Sequence, residues 1–253
     1  MTKSIMSIWQ KCNGKHYVTT LQTPVLRIVE SQEQVATMTL VSNSLEQSVL
    51  EDLLETSKPK SSPEHGGYHY LIQTPFRYPP LRHGSRFGNR MESGLFYASL
   101  QLETAFAECA YYRFVFLYGM ETLPEKHIVT EHTTFKVNID SSAGIALNKK
   151  PFVRYKKRIS DPENYTISQQ LGADMRDSGI TAFTYHSARD HGLNAGIFAI
   201  TAIKSKKPYG LQQWLCSTEV NNTAFVSKLN RNTRFSFDLE NFLIKSELPH
   251  PAT

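Results

Sequence analysis

The sequence predicts an α+β domain, a mixed and largely antiparallel sheet core with an added N-terminal helical segment. Short runs rich in β-branched and aromatic residues follow one another through the last quarter of the chain with no helical crossover between them, as in an antiparallel sheet. An Ala-rich apolar run from about Glu103 to Leu117 reads as one long helix behind a short strand. Residues 31–56 place apolar side chains at spacings of three and four, the period of an amphipathic helix.

In that N-terminal segment, Ser31 with Gln34 and Ser44 with Gln47 each have the spacing of a capping box. Val35, Met38, Val41, Leu45, Val49 and Leu53 make the apolar stripe, and such a stripe belongs to a core more often than to a partner surface. Residues 57–67 (SKPKSSPEHGG) are polar and punctuated by Pro and Gly. They are either a loop or the boundary between an N-terminal helical extension (1–66) and a main domain (67–253). Tyr68–Thr74 is aromatic and β-branched and reads as a strand. Pro75–Asn89 is irregular, because Pro75, Pro79, Pro80, Gly84 and Gly88 interrupt it. That loop holds Arg77, Arg82, His83 and Arg86, with Arg90 just beyond.

Gly94–Ser99 is a short strand feeding the long helix, and Thr134–Asp140 alternates Phe135, Val137 and Ile139 as a strand does. The basic cluster of 149–161 (Lys149, Lys150, Arg154, Lys156, Lys157, Arg158) reads as a solvated loop. A helix from about Thr166 to Asp177 ends at Gly179, a residue suited to the left-handed position after a helix. Ile180–Tyr185 is a strand and His186–Gly192 a polar turn. Strands follow at Ile197–Ile203, Gln213–Thr218, Ala224–Leu229 and Arg234–Phe237, with a terminal helix from Asp238. No internal repeat is present.

Composition narrows the function classes. Hydrophobic residues make up 40% and charged residues 20% of the 253, as in a soluble globular protein with a core. Fourteen Phe and 12 Tyr are too many for a solvated coil. The net charge of +5 favours polyanions and phosphorylated small molecules about equally. Cys12, Cys109 and Cys216 are widely spaced, offering neither a zinc pattern nor a disulfide framework. No apolar run is long enough for a signal peptide or a membrane span, so a cytoplasmic location is expected.

Three features carry candidate chemistry. Glu108 is the only charged group in Thr104–Ala110 (TAFAECA). A carboxylate on so apolar a helix is either neutralised, by Arg113 or an arginine of the preceding loop, or aimed at a cationic reaction centre. The arginines of the Arg77–Arg90 loop are either solvent-facing or phosphate-binding, since a guanidinium makes two parallel bonds to phosphate oxygens. Ser187 follows a strand within Tyr185–Asp190, without the elbow motif of a serine hydrolase.

Taken in order, Phe76–Gly88 (FRYPPLRHGSRFG), Gly94–Glu108 (GLFYASLQLETAFAE) and Gly179–Phe198 with its YHSARDHGLNAGIF resemble the RES family, named for an Arg, a Glu and a Ser. Eleven positions separate Arg86 from Tyr97, and eleven separate Tyr97 from Glu108. The resemblance covers roughly Tyr68–Leu215. It implies an ADP-ribosyltransferase-like fold and cleavage of NAD⁺ at its nicotinamide–ribose bond, with NAD⁺ as substrate and no cofactor or metal. By position it implies catalytic or NAD-binding roles for Arg86, Tyr97, Glu108 and Ser187, with Arg77 a second candidate for the family's N-terminal arginine. It also implies a toxin paired with an Xre-type helix-turn-helix antitoxin. Contact with nucleic acid would come only through that antitoxin, and homo-oligomers are compatible with it.

Water as acceptor gives an NAD⁺ glycohydrolase and phosphate an NAD⁺ phosphorylase; a protein side chain gives an ADP-ribosyltransferase. Two other classes stay open on the residues alone. The basic loops suit an RNA-binding protein or ribonuclease, and the N-terminal stripe suits a non-enzymatic interaction protein.

Overall fold

Phe135, Val137 and Ile139 are buried while Lys136 and Asn138 between them face solvent. That two-residue period belongs to a strand with one face on a core. The strand is the longest in the protein's computed structural model, which describes residues 6–31, 43–57, 59, 63–78, 80 and 82–250. In chain order the elements are α1 (Ile8–Lys11), β1 (Thr19–Glu30), α2 (Ser44–Ser57), α3 (Tyr70–Arg77), β2 (Phe96–Ser99), α4 (Leu102–Tyr118) and β3 (Ile128–Ala146). Then come α5 (Lys156–Ile159), α6 (Thr166–Asp177), β4 (Ala182–His186), β5 (Leu193–Ile197), β6 (Tyr209–Thr218), β7 (Asn222–Ser227) and β8 (Arg234–Asp238).

The strands lie in the order β1-β2-β5-β4-β3-β6-β7-β8, and β1 also pairs with β3, so the first five close into a circuit. The β1–β3 ladder is long, running from Thr19 opposite Gly144 to Glu30 opposite His132. The β1–β2 contact rests on Leu26 opposite Ser99. Only β3 and β4 run parallel, so the expected mixed, largely antiparallel sheet is present. Phe96, Phe135, Val137, Ala195 and Ile197 pack together within one core cluster. Helix α4 covers β6–β8, setting Phe106 4.7 Å from Trp214 and 4.5 Å from Phe225, ring centre to ring centre.

Several elements differ from expectation. The N-terminal portion supplies more than helix, because Thr19–Glu30 is a strand of the main sheet. Pro24 and the polar run before it hide that strand, since Pro lacks a ladder donor. The Ser31 N–H donates to the Glu131 carbonyl, extending the β1 ladder by one bond, and the helix start expected after it lies outside the described residues. Helix α2 forms as expected, but its cap is Asn43, whose Oδ1 accepts from the N–H groups of Leu45 and Glu46. Val35, Met38, Val41 and Gln34 lie outside the described residues, while Leu45, Val49 and Leu53 are exposed rather than core.

The strand expected at Tyr68–Thr74 is helix α3. His69 accepts from the Leu71 N–H at its start, and Ile72 and Phe76 turn inwards at helical spacing, Phe76 stacking on Phe96. The strand expected at Ile197–Ile203 lies earlier, at Leu193–Ile197, and a 3-10 turn occupies Ile200–Ala202. Asn194 and Gly196 disguised it. Gly196 is required there, because a Cβ would lie 2.2 Å from the Phe183 ring. The 149–161 segment keeps its basic side chains exposed but coils into α5, anchored by buried Phe152 and Ile159. In place of the helix expected from Asp238, a 3-10 turn forms at Leu239–Phe242. Helix α6 and Gly179, with φ +75, are as expected. No helix among the described residues is long and apolar enough to cross a membrane.

Helix α6 also fixes the arginine-bearing loop. Gly172 lets the helix touch the Phe87 backbone, and a Cβ there would sit 2.2 Å from the Phe87 carbonyl oxygen. Gly172→Ala should therefore destabilise the fold by about 1–3 kcal/mol, the usual cost of overpacking. A lowered thermal midpoint is the readout, and an unchanged or raised midpoint would show that the loop yields freely.

Candidate active site

Helix α4 is apolar on nearly every face, and among the described residues Glu108 forms no salt bridge. Glu108 Oε1 accepts from the Ser187 hydroxyl and from the Asn194 amide, each at 2.6 Å. Both donors are themselves held. Ser99 on β2 donates to Asn194 Oδ1 at 2.7 Å. The Ser187 oxygen accepts from the N–H groups of Arg189 and Asp190 at 3.0 and 3.1 Å. With its lone pairs engaged in this way, Ser187 has its proton left for Glu108. Among the described residues no donor reaches Glu108 Oε2. Arg113, one expected partner, is instead 3.4 Å from Glu30, so the ion-pair reading of Glu108 is set aside.

Glu108 lines a pocket of about 330 Å³ together with Arg86, Tyr97, Tyr165, Tyr185 and Asn194. Arg86 is 8% exposed, donates to the Asp161 carbonyl at 2.7 Å and lies over the Tyr165 ring at 4.6 Å. No carboxylate of a described residue pairs with it. The turn carrying Arg86 is pinned by Tyr97, whose hydroxyl accepts from the Phe87 N–H and bonds Ser85, both at 2.9 Å. Gly84, at φ +78, gives the turn its shape.

The structure thus brings Arg86, Tyr97, Glu108 and Ser187 together, with Ser187 behind Glu108 rather than on the pocket wall. Arg77 is not brought in; it closes α3, and its Nε donates to the Pro59 carbonyl at 2.5 Å. Two polar residues of the site escaped the sequence reading. Asn194 shares Glu108 with Ser187. Arg27 enters the pocket from β1, donates to the Tyr97 carbonyl at 2.8 Å, packs on Phe96 at 5.0 Å and leaves its buried Nε unpaired. Burial lowers the Arg27 guanidinium to about 10, so it stays charged at neutral pH. The signal was present: Arg27 interrupts Val25-Leu26-Arg27-Ile28-Val29, a lone charge in an apolar run, as Glu108 is.

Burial pushes the Tyr97 and Tyr111 hydroxyls up to about 12. Burial first, and then the Glu108 charge, raises Tyr185 as well. Tyrosine in an unfolded chain ionises near pH 10. The folded protein therefore holds these protons longer, a stabilisation complete below about pH 10 and lost as the pH climbs towards about 12. The thermal midpoint should fall across that window, and less steeply in Tyr97→Phe. A midpoint that stays level to about pH 12 would contradict the burial of these hydroxyls.

Comparison with known proteins follows the same residues. A family model described as the RES domain matches residues 58–218. No curated protein matches the chain. Among solved structures, a chain of the M. tuberculosis MbcT–MbcA toxin–antitoxin complex is similar with 8% identity and a TM-score of 0.45, over 78% of this chain and 88% of that chain. The family match spans most of the chain and takes in Arg86, Tyr97, Glu108, Ser187 and Asn194, and on that match the protein belongs to the RES domain family.

Proposed function

We propose that the protein cleaves NAD⁺ at the nicotinamide–ribose bond, passing the ribosyl group to water or phosphate, and that it is the toxin of a toxin–antitoxin pair. One observation carries the chemistry. A carboxylate oxygen that no described residue donates to shares a pocket with two guanidiniums that no described carboxylate pairs with. Such a pocket complements a ligand that is anionic at one part and becomes cationic at another.

NAD⁺ is such a ligand. Nicotinamide leaves as a neutral molecule, and positive charge develops on the ribose as an oxocarbenium-like centre. Glu108 Oε2 stabilises that charge while Ser187 and Asn194 hold the carboxylate still, so little reorganisation is needed as the bond breaks. Arg86 and Arg27 bind the pyrophosphate, fixing the ribose against Glu108. The aromatic walls of Tyr97, Tyr165 and Tyr185 shield the developing charge from bulk water. The acceptor, water or phosphate, attacks C1 of the ribose and loses its proton to Glu108 or solvent. Family membership supports the toxin role, with a helix-turn-helix antitoxin as the partner.

Purified protein should release nicotinamide from NAD⁺, and the ribose product with and without phosphate identifies the acceptor. Glu108→Gln should fold normally and lose about 10²-fold or more in rate, since charge stabilisation of this kind is worth that much. Absence of nicotinamide from the wild type under both conditions would overturn the reading. Expression of the wild type alone should arrest growth, and Glu108→Gln should not.

A further inference from the structure

At about 330 Å³, the Glu108 pocket is at the low end of about 300–1,000 Å³ for small-molecule sites. It suits a mononucleotide better than a dinucleotide. A second pocket of about 450 Å³ adjoins it, and Ile28, Cys109 and Tyr112 are walls of both. The two follow the same pair of elements. Along β1 the lining passes from Leu26 and Arg27 to Val29 and Glu30, and along α4 from Ala105 and Glu108 to Arg113 and Phe116. With the shared Cys109 and Tyr112 between them, these α4 positions fall three and four apart, one helix face forming a continuous wall. From Glu108 to Phe116 that wall runs about 12 Å, at about 1.5 Å per residue.

The far end has its own chemistry. Tyr112 and Phe116, one turn apart, are 57% and 53% exposed, unusual for large aromatic side chains beside a pocket. Arg113 lies over the Phe116 ring at 5.2 Å, yet the ring remains open to solvent. Glu30 stands at the rim with its side chain 57% exposed; Arg113 holds Oε2, and no described donor reaches Oε1. An aromatic surface beside a fixed carboxylate suits a flat base attached to a sugar with adjacent hydroxyls.

We propose that this second pocket holds the adenosine half of the dinucleotide, with the base against Phe116 and Tyr112 and the ribose hydroxyls donating to Glu30. The proposal rests on the NAD⁺-cleavage reading and adds to it where the non-reacting half binds. Arg27, which lines the first pocket beside the shared wall residue Ile28, is placed for the pyrophosphate between the halves. The Glu30 carboxylate also makes the site selective, because a 2′-phosphate in place of the hydroxyl would meet a negative charge instead of an acceptor.

Nicotinamide release from NAD⁺, NADP⁺ and nicotinamide mononucleotide, which lacks the adenosine half, tests this in the full-length protein. The wild type should prefer NAD⁺ over the mononucleotide by about tenfold or more in kcat/KM, the scale of one base stacked on an aromatic ring, and should also prefer it over NADP⁺ because Glu30 repels the 2′-phosphate. Phe116→Ala should lower the NAD⁺-to-mononucleotide ratio about tenfold. Glu30→Gln should lower the NAD⁺-to-NADP⁺ ratio. Each ratio is internal to one protein sample, so partial misfolding of a variant cancels. Equal use of NAD⁺ and the mononucleotide by the wild type, or ratios unmoved by both substitutions, would overturn the proposal while leaving NAD⁺ cleavage standing. No nicotinamide from any of the three substrates would overturn both.

Discussion

The site depends on how one carboxylate is held without being neutralised. Glu108 sits on an apolar helix, and two uncharged donors on one oxygen keep it there. A salt bridge would also have satisfied the carboxylate, but it would have consumed the negative charge that the pocket presents. The donors come from different places, Ser187 from the turn after β4 and Asn194 from β5, and Ser99 on β2 locks the second. Their geometry therefore depends on the correct pairing of β2, β5 and β4. Registry of that part of the sheet and orientation of the carboxylate are the same constraint.

The opposite charge is arranged by a different device. Arg27 stands on β1, whose ladder with β3 closes the strand circuit. Leaving its Nε buried and unpaired is a cost that folded proteins seldom carry without function. Closure of the circuit keeps the guanidinium against the Tyr97 carbonyl, so the strand that completes the barrel-like arrangement also completes the pocket. Tyr97 links the two sides. Its carbonyl takes Arg27 while its hydroxyl fixes the turn that carries Arg86.

The legible parts of the chain were those governed by local periodicity. The alternation of Phe135, Val137 and Ile139, the Ala-rich α4 and the Gly179 terminus of α6 all reflect local chemistry that survives folding unchanged. Arg86, Tyr97, Glu108 and Ser187, singled out because their order and spacing resemble a family pattern, are brought together by the fold. What was hidden was set by tertiary partners. β1 has Pro24 and little alternation, and becomes a strand because β3 offers it a long ladder. Asn194 falls between the expected turn and the expected strand, and its role emerges only where Glu108 and Ser99 give its amide partners. Arg77 matched the motif, but α3 directs it to the Pro59 carbonyl. Arg27 fills the wall of the pocket from a segment far earlier in the chain.

That distance has a consequence for how the protein tolerates change. The two walls of the pocket, β1 and α4, are joined through a connection that includes α2 and α3 and begins right after the β1 ladder. The entropic cost of closing a flexible loop grows slowly, by about 0.6 kcal/mol for each doubling of its length. Once β1 is paired with β3, the part of that connection ahead of α3, which carries none of Arg86, Tyr97 or Ser99, can lengthen or diverge at little thermodynamic expense. The chain can therefore acquire an accessory helical element between two halves of one binding site without moving either half.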